Sequence, residues 1–194
     1  MQLLLIRNAK PQSGAGAGSE PNLSYDGNEQ TRRLPDALSK FSLARIVSSP
    51  QLQAVQTAAP VADQLGMSID IDERFAEYDY GLANTRSVEQ AADRQLPGDA
   101  PAKKFVDRVK AAVDDVIAAG EHDQTVAVFT HSGVINVMVH TVLKTEQLFS
   151  VQPDYASVTR LLVSEDAGLS LASLNVTDHV WDLLYRTQWW SEEH

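Results

Sequence analysis

Short apolar runs that stop abruptly at polar residues, spaced by longer stretches of helical periodicity, constrain this chain more than any other feature. QLLLI (2–6), ARIVSS (44–49) and TVAVFTH (125–131) have strand length and are almost uniformly apolar, so they predict buried strands. MSIDID (67–72) alternates as a further strand should, and ASVTRLLVS with LSLASLN predicts an antiparallel pair turning at 165–168. Between them lie helical patterns. One is expected over 26–41, bent at Pro35, which lacks an amide donor. A second follows Pro50, placed in its first turn, carries Leu52, Val55, Ala59, Ala62 and Leu65, and closes at Gly66. A third is marked by Phe105, Val109, Ala112, Val116 and Ile117, and a fourth, 134–143, is opened by Ser132 and Gly133. A short last helix holds Val180, Leu183 and Leu184. Strands alternating with helices predict α/β layering, a mostly parallel sheet and helices on both faces. Residues 12–24, rich in Gly, Ser and Pro, read as a loop, and 73–102 is less regular, with a helical patch near 88–94 and a break at Pro97 and Gly98. Residues 1–194 are expected to form a single domain, of sufficient length for a sizeable core.

Charge narrows the partners. The net charge of -10, from 16 basic and 26 acidic residues, disfavours a broad surface for nucleic acid or anionic membrane, so neither is expected as a partner. It leaves room for a small basic pocket, because a few arginines in a cleft dominate their local field. With no cysteine there is no disulfide framework and no thiolate metal site. The opening residues lack a signal-like pattern and no run reaches membrane-spanning length, so a cytoplasmic protein is expected. His122, His140, His179 and His194 lack metal-ligand spacing and read as structural or surface residues; neither a metal nor another cofactor is implied. Trp181, Trp189 and Trp190 suit core packing and a subunit interface equally, so a homodimer is among the assemblies the chain allows.

In a parallel sheet, ligands bind beyond the carboxyl ends of the strands. Polar residues stand at three such ends: Arg7 with Asn8, Ser48 with Ser49, and His131 with Ser132 and Gly133. His131 directly precedes a helix N-terminus, where free amides and the helix dipole favour an anion, and an arginine fork offers bidentate recognition of phosphate oxygens. Alone, an arginine after a strand is more often a surface ion pair, and a histidine at a strand end is more often a hydrogen-bonded structural residue. Together, LLLIRNAK, IVSSPQLQAVQTA, RFAEYDYG and VAVFTHSGVI, in this order and spacing, resemble the histidine phosphatase superfamily, of phosphoglycerate mutase-like fold.

That resemblance implies a three-layer α/β/α sandwich and a particular chemistry. In the family the first motif reads Arg-His-Gly or Arg-His-Ala, and its histidine attacks the phosphoryl group to form a phosphohistidine. A second arginine follows Ser-Ser-Pro, a second histidine ends the later strand, and an acidic residue protonates the leaving group. Carried over, Arg7 matches the first arginine, His131 the second histidine and Glu77 the acid, four residues before Gly81; Asp79 is the acid's neighbour on the same segment. Asn8 stands at the nucleophile's position and Gln53 at the second arginine's. Lys10 lies where its charge would partly offset the missing arginine. Tyr78 and Tyr80 suit packing at a loop base or a substrate wall, and the substrate-selecting segment between Glu77 and Phe105 looks abbreviated.

An imidazole nitrogen offers a lone pair at neutral pH, whereas a carboxamide nitrogen gives its pair to resonance and only donates hydrogen bonds. Asn8 therefore suits holding a phosphate oxygen and not forming a phosphoenzyme. Gln53 keeps a neutral donor but loses the charge that makes such bonds about twice as strong. The expectation is a catalytically impaired member, a pseudophosphatase, that binds phosphate or a small phosphorylated or anionic molecule through Arg7, Asn8, Gln53, His131 and Ser132. The alternative is an active enzyme: a phosphomonoesterase using His131 or water as nucleophile, or a different acid–base reaction in which Glu77 and His131 take part. A third reading is a purely structural or interaction protein.

Overall fold

The computed structural model of the chain describes residues 1–13, 20–78, 100–164 and 168–188. Alternation of apolar runs resolves into β1 (Gln2–Arg7), α1 (Tyr25–Leu38), β2 (Leu43–Ser48), α2 (Leu52–Leu65), β3 (Ile69–Ile71), α3 (Ala100–Ala118), β4 (Thr125–Thr130), α4 (Ser132–Leu143), β5 (Val158–Ser164), β6 (Gly168–Val176) and α5 (Trp181–Gln188), with a 3-10 turn at Glu73–Phe75. The strands form one sheet in the order β3-β2-β4-β1-β5-β6. The pairs β3–β2, β2–β4 and β4–β1 are parallel, while β5 runs antiparallel to β1 and to β6.

Successive residues of β1 point to opposite faces, as strand geometry requires. Leu3 and Leu5 pack with Phe105, Val109 and Val113 of α3 and with Val134 and Met138 of α4. Leu4 and Ile6 pack on the other side with Leu34 and Leu38 of α1 and Ala58, Val61 and Ala62 of α2. All four β1 leucine and isoleucine side chains are buried, which explains why QLLLI shows no alternation. The result is the expected α/β arrangement with helices on both faces of a mixed sheet.

Local chemistry sets the ends of the elements. Ser24 caps α1: its Oγ accepts the amide hydrogen of Gly27 at 3.0 Å. Pro35 sits inside α1, which ends at Leu38 and not at 41. Pro50 lies outside α2, because Gln51 in extended geometry is the N-cap, and the helix begins at Leu52. Gly66 closes α2 in the left-handed region at φ 63°, a conformation that a side chain would strain. Helix α3 starts at Ala100, earlier than its apolar stripe suggests. The expected patch at 88–94, the break at Pro97 and Gly98, Asp79, Tyr80, most of the 165–168 turn, Trp189, Trp190 and His194 lie outside the described residues. Trp181 is half exposed on α5. Among the described residues no helix is long and apolar enough to cross a membrane.

Candidate functional site

Register builds the site. In the parallel β1–β4 pair Arg7 lies opposite Thr130, so the next residues, Asn8 and His131, leave the sheet side by side. Ser48 lies opposite Phe129 in the β2–β4 pair, and the Ser49 amide donates to the Phe129 carbonyl at 2.9 Å. Strand β4 is thus flanked by β1 and β2, and His131 emerges with Asn8 on one side and Ser49 on the other.

Both ring nitrogens of His131 are engaged. Asn8 Oδ1 lies 3.1 Å from Nδ1, and Ser49 Oγ lies 2.7 Å from Nε2. Asn8 Nδ2 donates to the Ala9 carbonyl at 3.0 Å, which orients the amide with its oxygen toward the ring. An amide oxygen can only accept, so Nδ1 carries the proton and Nε2 accepts the Ser49 hydroxyl hydrogen. His131, Asn8 and Ser49 are all buried. Burial first, then the guanidinium charges of Arg7 and Arg108, push the imidazole pKa down from 6.5 to about 3. At neutral pH the ring is neutral.

The cations are placed less simply than sequence suggests. One terminal nitrogen of Arg7 donates to the Pro153 carbonyl at 2.5 Å, and the guanidinium lies 3.9 Å above the Tyr155 ring. Its Nε is buried without a partner. Lys10 does not supply free charge, because Nζ pairs with Asp26 at 3.1 Å. Gln53, on the first turn of α2, is buried with Oε1 unpartnered, and its carbonyl accepts the Thr57 hydroxyl at 2.6 Å. Thr57 Oγ1 in turn accepts the Ala9 amide hydrogen at 2.9 Å, tying α2 to the segment after β1.

Glu77 reaches the start of α4 from the segment after the 3-10 turn. Its Oε2 accepts the Gly133 amide hydrogen at 3.1 Å, and its Oε1 accepts that of Tyr78 at 2.8 Å. The anion at the start of α4 is therefore one of the chain's own carboxylates, well matched to the helix dipole. Gly133 makes this approach feasible: a Cβ there would lie 2.1 Å from Glu77 Oε1. Ser132 opens α4 next to His131 and is partly exposed. Tyr78 packs edge-on to Phe105 at 5.4 Å between ring centroids.

Three contributors were not assigned a role from sequence. Ser49 was visible only as a polar strand end. Gln51 Oε1 accepts the Glu77 amide hydrogen at 2.7 Å. Arg108 of α3 donates to the carbonyls of Ala76 and Glu77 at 2.8 and 3.4 Å, and its guanidinium lies 5.0 Å from the Phe105 ring centroid. Its Nε is buried without a partner, and burial lowers its pKa despite the nearby Glu77 charge. Nothing local distinguishes Arg108 from other polar residues of an amphipathic helix. His140 and His179 are structural, bonded to Thr145 and to the Ala156 carbonyl. Among the described residues no group of three His, Asp or Glu side chains is placed to hold a metal ion.

Comparison with known proteins bears on the fold and the family. The chain is 25% identical over 201 residues to phosphoserine phosphatase 1 of Hydrogenobacter thermophilus, covering 93% of this chain and 94% of that protein. The fold is shared with Bacillus stearothermophilus YhfR, with a TM-score of 0.78 and 22% identity over 92% of this chain and 98% of the other. It is also shared with the phosphoserine phosphatase of Entamoeba histolytica crystallised with 3-phosphoglyceric acid, at a TM-score of 0.74 and 18% identity over 92% and 98% of the two chains. The family model for the histidine phosphatase superfamily (branch 1) matches residues 3–177, and the chain belongs to that superfamily.

Proposed function

We propose that this chain is a catalytically impaired histidine phosphatase-like protein, a pseudophosphatase, that binds phosphate or a small phosphorylated molecule in the cleft of Arg7, Asn8, Gln53, His131 and Ser132. The observation that carries this reading is the contact of Asn8 Oδ1 with His131 Nδ1 at 3.1 Å. It sets a carboxamide against the imidazole, at the position the motif resemblance implies for the nucleophilic histidine. A carboxamide has no pair to give to phosphorus, so the phosphohistidine route is closed. His131 does not replace it, because its one lone pair already accepts the Ser49 hydrogen. Gln53 in place of a second arginine removes charge that phosphoryl transfer depends on. Arg7, with an unpartnered Nε, retains donor capacity for an anion. The Entamoeba phosphoserine phosphatase crystallised with 3-phosphoglyceric acid shares this fold, which supports a phosphorylated ligand of small size.

The test is a panel of phosphomonoesters assayed with the native chain beside an Asn8→His/Gln53→Arg variant, with thermal shift by phosphate and orthovanadate. Expected are stabilisation of the native chain by either anion and faster turnover in the double variant. Native turnover through an acid-labile phosphohistidine, or the absence of any anion-dependent shift, overturns the reading.

A further inference from the structure

The arrangement around His131 contains more than a blocked imidazole. Ser49 Oγ donates to His131 Nε2 at 2.7 Å, and His131 Nδ1 donates to Asn8 Oδ1 at 3.1 Å. A hydroxyl, a base and a neutral acceptor orienting the base, all within hydrogen-bond reach, form the general pattern of an activated nucleophile. Asparagine in the third place holds the ring in the required tautomer, since its oxygen demands a proton on Nδ1 and leaves the Nε2 pair facing the hydroxyl. Ser49 itself stands on a strand-to-helix turn, between the end of β2 at Ser48 and the α2 N-cap Gln51. The Gln51 amide donates to Ser49 Oγ at 3.3 Å, a contact that strengthens as the oxygen gains negative charge.

We propose that Ser49 is a nucleophile in this pocket, with His131 as its base and Asn8 as the orienting group, and that it opens a slow, serine-based hydrolysis of small phosphomonoesters. The proposal rests on the phosphate-binding reading above, and replaces only the route by which a bound ester would react. In the first step Ser49 Oγ forms a bond to phosphorus while its proton passes to His131 Nε2. The bond from phosphorus to the leaving oxygen breaks, and that oxygen takes the proton from the imidazolium and departs as an alcohol. In the second step water attacks the phosphoserine, gives one proton to Nε2, and the proton then returns to Ser49 Oγ as phosphate leaves. No oxidant, metal or other reactant enters. Glu77 is not needed as the acid, which agrees with its two oxygens each accepting a backbone amide hydrogen. Ser49 is fully covered, and the lowered pKa of His131 makes the ring a weak base, so turnover is slow on both counts.

The experiment uses the native chain with para-nitrophenyl phosphate, quenched in acid and digested for mass spectrometry. A phosphoserine ester survives acid and a phosphohistidine does not. Expected is one added phosphoryl group on the peptide carrying Ser49, with hydrolysis falling by about 100-fold or more in Ser49→Ala and in His131→Ala. Thermal shift by inorganic phosphate is measured on the same samples. Ser49→Ala that keeps the native phosphate shift but loses turnover and labelling supports the proposal. A native chain that shifts with phosphate yet shows no acid-stable adduct on Ser49, or Ser49→Ala that hydrolyses at the native rate, overturns it while leaving the binding reading intact. Loss of the phosphate shift in the native chain itself is the failure of that binding reading, and with it of this proposal.

Discussion

Asn8 Oδ1 and His131 Nδ1 meet at 3.1 Å across the carboxyl ends of two neighbouring parallel strands, and this contact decides which ring nitrogen of His131 carries a proton. It also leaves the ring without an ionic partner. Neighbouring Arg7 and Arg108 act in the same direction as burial, and the imidazole stays neutral.

Asn8→Asp should reverse that state. A carboxylate at the same distance favours the imidazolium, so the His131 pKa should rise from about 3 toward the ordinary histidine range. Titration of the ring by NMR checks this. A pKa that stays put would show that side chain 8 does not face Nδ1. If Ser49 reacts as proposed, the variant should also hydrolyse esters faster, because a carboxylate stabilises the imidazolium formed in the first step.

Stability should fall with acid in a defined window. The unfolded imidazole binds a proton near 6.5 and the folded one only at about 3, so the unfolded state holds more protons between these values. Stability from this group is present in full above the upper value and declines as pH drops through the window, by about 1.4 kcal/mol per pH unit. The half-buried His179, also shifted downward mainly by desolvation, adds in the same direction. Urea unfolding of native and His131→Asn chains across the window isolates the His131 share. Parallel curves for the two chains would contradict a buried neutral ring.

Gly133→Ala should destabilise the chain through Glu77. The added Cβ would stand 2.1 Å from Oε1, so the carboxylate must leave the Gly133 amide. Loss of a buried charged hydrogen bond costs roughly 1–3 kcal/mol. Glu77→Ala removes the obstacle, so the double variant should be less destabilised than the sum of the two single ones. Strict additivity in denaturant unfolding would mean that the two residues do not meet.

Arg108→Ala should loosen the Ala76–Glu77 backbone, whose carbonyls Arg108 holds, and should raise the His131 pKa by removing a nearby cation. Arg108→Lys keeps the charge and loses the fork, so it should retain the low His131 pKa while losing part of the stability. Thermal melts and the His131 titration separate the two effects.

Lys10→Ala should leave phosphate binding nearly unchanged, because the ammonium is already paired with Asp26. A solvent-reachable pair of this kind is worth about 0–1 kcal/mol. Arg7→Ala should abolish the phosphate-induced thermal shift. Equal losses in both variants would place Lys10 in the pocket.

Much of the fold was legible because it follows from local rules. The uniform apolarity of QLLLI and TVAVFT reflects burial on both faces, and Gly66 after an apolar stripe marks a helix end that needs a left-handed residue. The polar residues at three strand ends include Asn8, Ser49 and His131, which the structure brings into contact. Where reading from sequence slipped, a neighbour distant in sequence was responsible. Lys10 reads as free charge until α1 brings Asp26 to it, and Arg108 has no mark of its importance until α3 packs beside Glu77.

By itself the sequence determined the strands and helices, the family motifs, and the chemical identity of the groups available, because backbone preferences and side-chain chemistry are carried residue by residue. It thereby settled that position 8 holds a carboxamide and position 53 an uncharged amide. Only the tertiary structure decided what those groups do to one another. The β2-β4-β1 order puts Ser49 and Asn8 on opposite sides of His131, whose ring is buried between them. Tautomer, protonation and proton path depend on distances between strands far apart in the chain, and such distances arise only when the sheet has formed.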